Sequence, residues 1–93
     1  MSHHRFEQAL RREHVREQLA ALQPGGSPQR AIRVVSAAVI EPRAAKTPCP
    51  HCGGFYRIDE HTAVRGLRRA DVTCRHCSVP RTLWFRIVDP HPN

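Results

Sequence analysis

Large aromatic side chains are scarce in this chain: three Phe, one Tyr and one Trp in 93 residues, or 5%. So short a chain with so few large apolar groups cannot bury a core that comfortably offsets its ordering entropy. That leaves no room for a large catalytic cleft or a multidomain architecture, and something besides burial must hold the chain together. Long apolar runs are missing as well. None approaches the roughly 18–20 residues that a bilayer crossing requires. The start, Met1-Ser2-His3-His4-Arg5, leads into charged sequence rather than an apolar secretory core. A soluble, cytoplasmic protein without a membrane partner is expected.

Lysine is nearly absent too, with Lys46 standing alone beside fourteen arginines. The formal net charge is +7 and the sequence pI is about 10.6, which points to an acidic partner. Arginine suits bidentate phosphate contacts, although a strong Arg bias also follows from genome base composition. The charge is diffuse. Residues 1–23 carry +1, residues 24–48 carry +3 and residues 49–93 carry +3.

Composition divides the chain into three parts. Residues 3–22 lack Pro and Gly and are rich in Glu, Gln, Arg, Ala and Leu, which predicts an N-terminal helix, stopped by Gln23-Pro24-Gly25-Gly26. Ser2 is placed to cap it, and Glu7/Arg11 and Glu13/Arg16 have helical pair spacing. Phe6, Ala9 and Leu10 fall on one side of this helix, with Val15, Leu19 and Leu22 nearly opposite, so it offers two contact patches. Residues 24–48 read as a linker carrying one strand at about 31–40. Ile32, Val34 and Ile40 lie on one face of that strand and Val35 and Val39 on the other, so it needs cover from a sheet or a partner. Glu41 to Pro48 reads as further linker.

Residues 49–93 hold the chemistry. Cys49-Pro50-His51-Cys52 and Cys74-Arg75-His76-Cys77 are two C-x-x-C pairs separated by 21 residues. That is metal-site spacing. Each tight turn aims two sulfurs at one ion, the glycines after Cys52 let the backbone approach the sulfur, and two turns close a tetrahedral shell. A disulfide framework would need an oxidising compartment, for which no export signal speaks. A redox role for one pair would leave its twin unexplained. Iron is the serious rival to zinc, because four-thiolate sites hold either metal. His51 and His76 sit inside the turns, where a filled tetrahedron makes them redundant as ligands, and they read as exposed turn residues.

Residues 49–89 resemble a zinc ribbon, two cysteine knuckles on a small antiparallel sheet, over 41 of the 93 residues. The resemblance implies one structural Zn2+ on Cys49, Cys52, Cys74 and Cys77. It also implies three antiparallel strands, starting at Phe55-Tyr56-Arg57-Ile58, running from Leu67 to Thr73, and spanning Leu83 to Val88, with a turn at Arg65-Gly66. The fold expected is thus a small metal-stabilised α+β protein: N-terminal helix, linking strand, C-terminal three-stranded zinc ribbon. A hairpin loop of odd length would put Tyr56, Ile58, Ala70 and Val72 on one face. Arg57, Asp59, Arg69 and Asp71 would then share the other, neutralising one another. Gly54-Phe55-Tyr56 is also faintly similar to the Gly-aromatic sequence after a rubredoxin knuckle, but those electron carriers are typically acidic. Asp59-Glu60 matches the Asp-Glu dipeptide of some transcript-cleavage ribbons. There it lies on the loop before the second knuckle, so here it reads as two polar strand residues.

Zinc ribbons commonly dock on nucleic acid or protein. Nothing in the sequence forms a nucleophile–base pair, a phosphate-cradling glycine loop or an open metal shell, so a non-enzymatic module without a small-molecule substrate is expected. Its partner is DNA or RNA on the charge argument. The alternative is an adaptor or small subunit of a larger assembly, and the third reading is an iron electron carrier. The binding residues expected are Arg57, Arg65, Arg68, Arg69, Trp84 and Arg86. Trp84 has three readings: a stacking platform flanked by Arg57 and Arg86, a packing residue covered by the 31–40 strand or the helix, or an exposed residue that docks a protein.

Overall fold

The computed structural model describes residues 15–89. The expectations for residues 3–14, including the Ser2 cap and the Phe6 patch, lie outside them. Helix α1, described over residues 15–21, ends where Leu22 and Gln23 donate to the carbonyls of Leu19 and Ala20, both at 3.1 Å. A 3-10 turn at Pro28–Arg30 leads into strand β1 (Ile32–Val34). A second 3-10 turn at Ala37–Val39 runs into helix α2 (Ile40–Lys46). Three strands follow: β2 (Tyr56–Val64), β3 (Leu67–Cys74) and β4 (Pro80–Ile87).

The sheet is four-stranded and mixed, in the order β1-β4-β3-β2. The expected three antiparallel strands are there, but β1 adds to the β4 edge in parallel, pairing Ile32 with Phe85 and Val34 with Ile87. The linking strand is therefore three residues long, and residues 40–46 are helical rather than strand and linker. Pro42 lies in the first turn of α2, where its missing N–H has no intrahelical partner to lose. Glu41 opens that helix and Arg43 and Lys46 close it, as the helix dipole favours. Ile40 and Ala44 are fully buried, one turn apart on the face that packs against the sheet. β1 finds its cover in β4, as a doubly apolar strand requires, while Val35 and Val39 just beyond it remain exposed.

The hairpin reaches the expected face assignment by a different device. Val64 pairs with Leu67 across a two-residue turn, in which Arg65 (φ 47°) and Gly66 (φ 81°) both have positive φ, as a type I′ turn requires. The loop is thus even, not odd. Parity is restored by a bulge at Asp59, since Ile58 pairs with Val72 but Glu60 with Asp71. Tyr56, Ile58, Ala70 and Val72 consequently share the core face. There they meet Leu83, Phe85, Ile32, Val34, Ile40 and Ala44 in one cluster, which also contains Cys49 and Cys74. Ile87, two residues beyond Phe85 on the same side of β4, is 40% exposed at the sheet end. The charges on the other face pair along each strand rather than between strands, Arg57 Nε with Asp59 Oδ1 and Arg69 Nε with Asp71 Oδ1, both at 3.0 Å.

Candidate metal centre

The first knuckle precedes β2 and the second joins β3 to β4, so the sheet register fixes their separation. Both fold alike. The Cys49 amide donates to Gly54 O (2.9 Å) and the Cys74 amide to Val79 O (3.0 Å), each five residues on. Gly53 and Ser78 return bonds to the carbonyls of Cys49 and Cys74 at 2.7 and 3.0 Å. The amides of His51 and His76 each point at the preceding cysteine's sulfur at 3.4 Å. Even the positive-φ position recurs, at Gly53 (φ 77°) and at Ser78 (φ 64°). The Arg75 amide, bonded to Phe55 O at 2.9 Å, laces the two turns together.

All four sulfurs lie within 4.8 Å of one another. Cys49 and Cys77 approach to 3.7 Å, and Cys52 and Cys74 to 3.4 Å. A tetrahedral ion with ligands at about 2.3 Å places its sulfurs ~3.8 Å apart, so the cage has the size that four thiolates on one ion require. The same separations are far beyond the ~2.05 Å of a disulfide, and all four cysteines are free. Cys49 and Cys74 are buried in the core cluster, while Cys52 and Cys77 face outward. Gly54 completes the cage. A Cβ there would come within 2.8 Å of His76 Cβ, 3.1 Å of Cys74 Sγ and 3.2 Å of Cys52 Sγ.

The thiols differ in acidity. The amide of Cys77, then that of His76, pulls Cys74 down to about 6 against burial, helped by the Cys52 and Cys77 thiols. At Cys77 the Val79 amide pulls down, but burial and the neighbouring thiols prevail and push it up to about 12. A sulfur ionised near neutral pH yields to a cation most readily. Four such ligands on one ion would leave no open position for water.

His51 is not the exposed turn residue expected. Its Nε2–H donates to Glu17 Oε1 at 2.6 Å, and Arg81 Nη2 donates to the same oxygen at 2.9 Å. The carboxylate of α1 thus joins the first knuckle to β4. The His51 hydrogen bond, followed by the charge and hydrogen bond of Arg81, holds Glu17 below the usual carboxylate range despite partial burial. Neither the spacing nor the charge pattern of the sequence signals this contact. Nearby, Tyr56 is 1% exposed with no partner for its hydroxyl among the described residues, and burial pushes its pKa up.

The expected binding arginines do not form one cluster. Arg57, Arg69, Trp84 and Arg86 share the sheet face away from the core. Arg65 tips the hairpin turn, and Arg68 pairs with Phe85 on the other face. Trp84 is half-buried, outside the core, and neighbours Arg69 rather than Arg57, which lies nearer the cysteines. Neither β1 nor α1 forms a second core over it: β1 lies beside β4 in the same sheet, and the Trp84 amide is held by Gly25 O at 2.8 Å. Arg33, exposed between buried Ile32 and Val34, is directly across from Arg86 and was not among the residues expected. Its signal was the Ile-Arg-Val alternation, legible only once β1 is known to pair with β4. Asp59, at the bulge, accepts from Thr73 Oγ1 and Arg57, a structural role that lowers its pKa. Comparison with protein-family models, curated proteins and solved structures finds no match, so the centre is defined by its own four sulfurs alone.

Proposed function

We propose that this chain is a non-enzymatic zinc-binding module of zinc-ribbon type that docks on nucleic acid. Cys49, Cys52, Cys74 and Cys77 would hold the ion, which serves the fold and not a reaction. Zinc is favoured over iron because the chain is strongly basic, unlike the small electron carriers that use the same ligand set. A colourless protein with one zinc per chain supports this; a red, iron-loaded one contradicts it.

The observation that carries the nucleic-acid reading is which arginines folding leaves unused. Arg57, Arg69 and Arg81 each have a carboxylate partner. Among the described residues, Arg16, Arg30, Arg33, Arg43, Arg65, Arg68, Arg75 and Arg86 have none. The pairings with Phe85, Arg86 and the hairpin turn put four of these, Arg33, Arg65, Arg68 and Arg86, at the sheet end remote from the cysteines. Arg68 and Cys74 lie six positions apart along β3, or ~20 Å, so the negative charge of a filled cage hardly offsets them beyond a Debye length of about 8 Å. Phosphate is the partner chemistry that unpaired arginines at one end of a sheet suit. Titrating the zinc-loaded chain with generic DNA and RNA tests this. Affinity should fall steeply and log-linearly with salt, and absence of binding at low salt contradicts it.

A second reading has its own observation. Val15 and Leu19 on α1 and Leu22 just past its end are 50%, 56% and 58% exposed. That apolar strip favours a protein partner. A chain that leaves nucleic acid unbound at low salt but co-purifies stoichiometrically with one protein supports this reading instead.

A further inference from the structure

The outer face of the sheet has a regular order from the cysteine end outward. Arg57, Thr73 and Pro80 lie side by side first, then Glu60, Asp71 and Thr82, then Thr62, Arg69 and Trp84, and last Arg86 beside Arg33. Every carboxylate of this face, Asp59 at the bulge included, lies in or beside the first two rows. The last two rows are free of acid. Arg69 leans back to Asp71 through Nε alone, while Arg33 and Arg86 face each other with no carboxylate partner among the described residues.

Folding gives no reason for this arrangement. Like charges directly across a strand pair destabilise it, and the indole of Trp84 lies outside the buried cluster that holds the sheet together. A ligand that is both anionic and flat satisfies both features. We propose that this outer half-face holds single-stranded nucleic acid, a base stacked on Trp84 and the backbone phosphates on Arg33, Arg86 and Arg69. This rests on the nucleic-acid reading above and specifies the form bound. Adjacent strands are about 4.8 Å apart and alternate residues of one strand about 7 Å, so the four side chains fall within one short stretch of polynucleotide. The acidic rows turn the backbone away from the cysteine end and direct it across β1, β4 and β3.

Duplex is disfavoured on two grounds. Its bases are covered on both faces by their neighbours, whereas an unstacked base presents a free π-face to an aromatic ring. Helix α2 also offers no free groove reader, since it has seven residues and buries Ile40 and Ala44 against the sheet.

Trp84 is the single tryptophan of the chain, so its fluorescence reports this contact alone. The zinc-loaded full chain is titrated with oligo(dT), oligo(U) and a mixed-sequence duplex. Single strands should quench Trp84 and bind more tightly than duplex. Trp84→Ala should weaken them about tenfold and Trp84→Phe much less. Arg33→Gln and Arg86→Gln should each reduce the salt slope by about 0.7. Zinc stoichiometry and circular dichroism verify that each variant is folded. Binding without quenching, insensitivity to Trp84→Ala, or preference for duplex overturns this proposal and leaves the nucleic-acid reading standing. Failure to bind any of the three at low salt overturns both.

Discussion

Two positions in the knuckles reduce the account to single atoms. Gly54 lacks a side chain because two sulfurs and His76 occupy the space that a Cβ would take. Gly54→Ala should weaken zinc binding about tenfold, the usual cost of disturbing a ligand's immediate support, as read by competition with a chromogenic chelator. At Ser78 the chain tolerates a left-handed residue where the twin knuckle uses Gly53. The cost of that backbone for a residue with a Cβ predicts that Ser78→Gly stabilises the zinc-saturated protein by about 0.5 kcal/mol, and that Gly53→Ala destabilises it by about 1 kcal/mol. Denaturant midpoints at saturating zinc check both signs. The site was readable at this scale because its signal is local: four cysteines at fixed spacing. The Gly54 contact was not, because it depends on the second knuckle arriving from 20 residues away.

Among the described residues, α1 is attached by one carboxylate and one small side chain. Glu17 accepts from His51 and Arg81, and Ala20 is 3% exposed. Glu17→Gln should loosen the helix by about 1 kcal/mol after allowance for solvent screening, seen as faster hydrogen exchange over residues 18–23 while the sheet is unaffected. The pH dependence has a defined sign. Because the folded Glu17 is more acidic than its ordinary 4.5, its contribution is complete above that value and disappears as pH falls through the lowered one. α2 is attached instead by burial. Ile40→Ala, at a fully buried position, should cost about 2–4 kcal/mol at saturating zinc. These elements also mark where sequence reading stopped. The β-branched residues of 31–40 suggested one strand, yet only Ile32–Val34 finds an edge to pair with. Pro42 looked like a breaker although it falls where a helix accepts proline. The face alternation of β2 and β3 was legible, because burying Tyr56, Ile58, Ala70 and Val72 together is required of any solution. The bulge that achieves it was not, because a bulge and an odd loop give the same alternation. The parallel pairing of β1 with β4 was equally invisible, and with it the meeting of Arg33 and Arg86.

For the whole molecule, the two ends of the sheet divide the work. The cysteine end supplies what the scarce aromatics cannot, since Cys49 and Cys74 belong to the same cluster as Tyr56 and Phe85. The far end carries four of the arginines that have no carboxylate partner among the described residues, Arg33, Arg65, Arg68 and Arg86. A structural zinc contributes on the order of 10 kcal/mol to folding, comparable with the entire stability of an ordinary small domain. On the proposed zinc reading, loss of the ion should therefore unfold the core as a unit and not only loosen the knuckles. The decisive measurement is the amide NMR spectrum of the full chain as zinc is withdrawn by a strong chelator and then restored. Resonances of β2, β3 and β4 should lose their dispersion together on withdrawal and regain it at one zinc per chain. An unchanged, dispersed spectrum in the chelated protein would mean that the core stands without its metal.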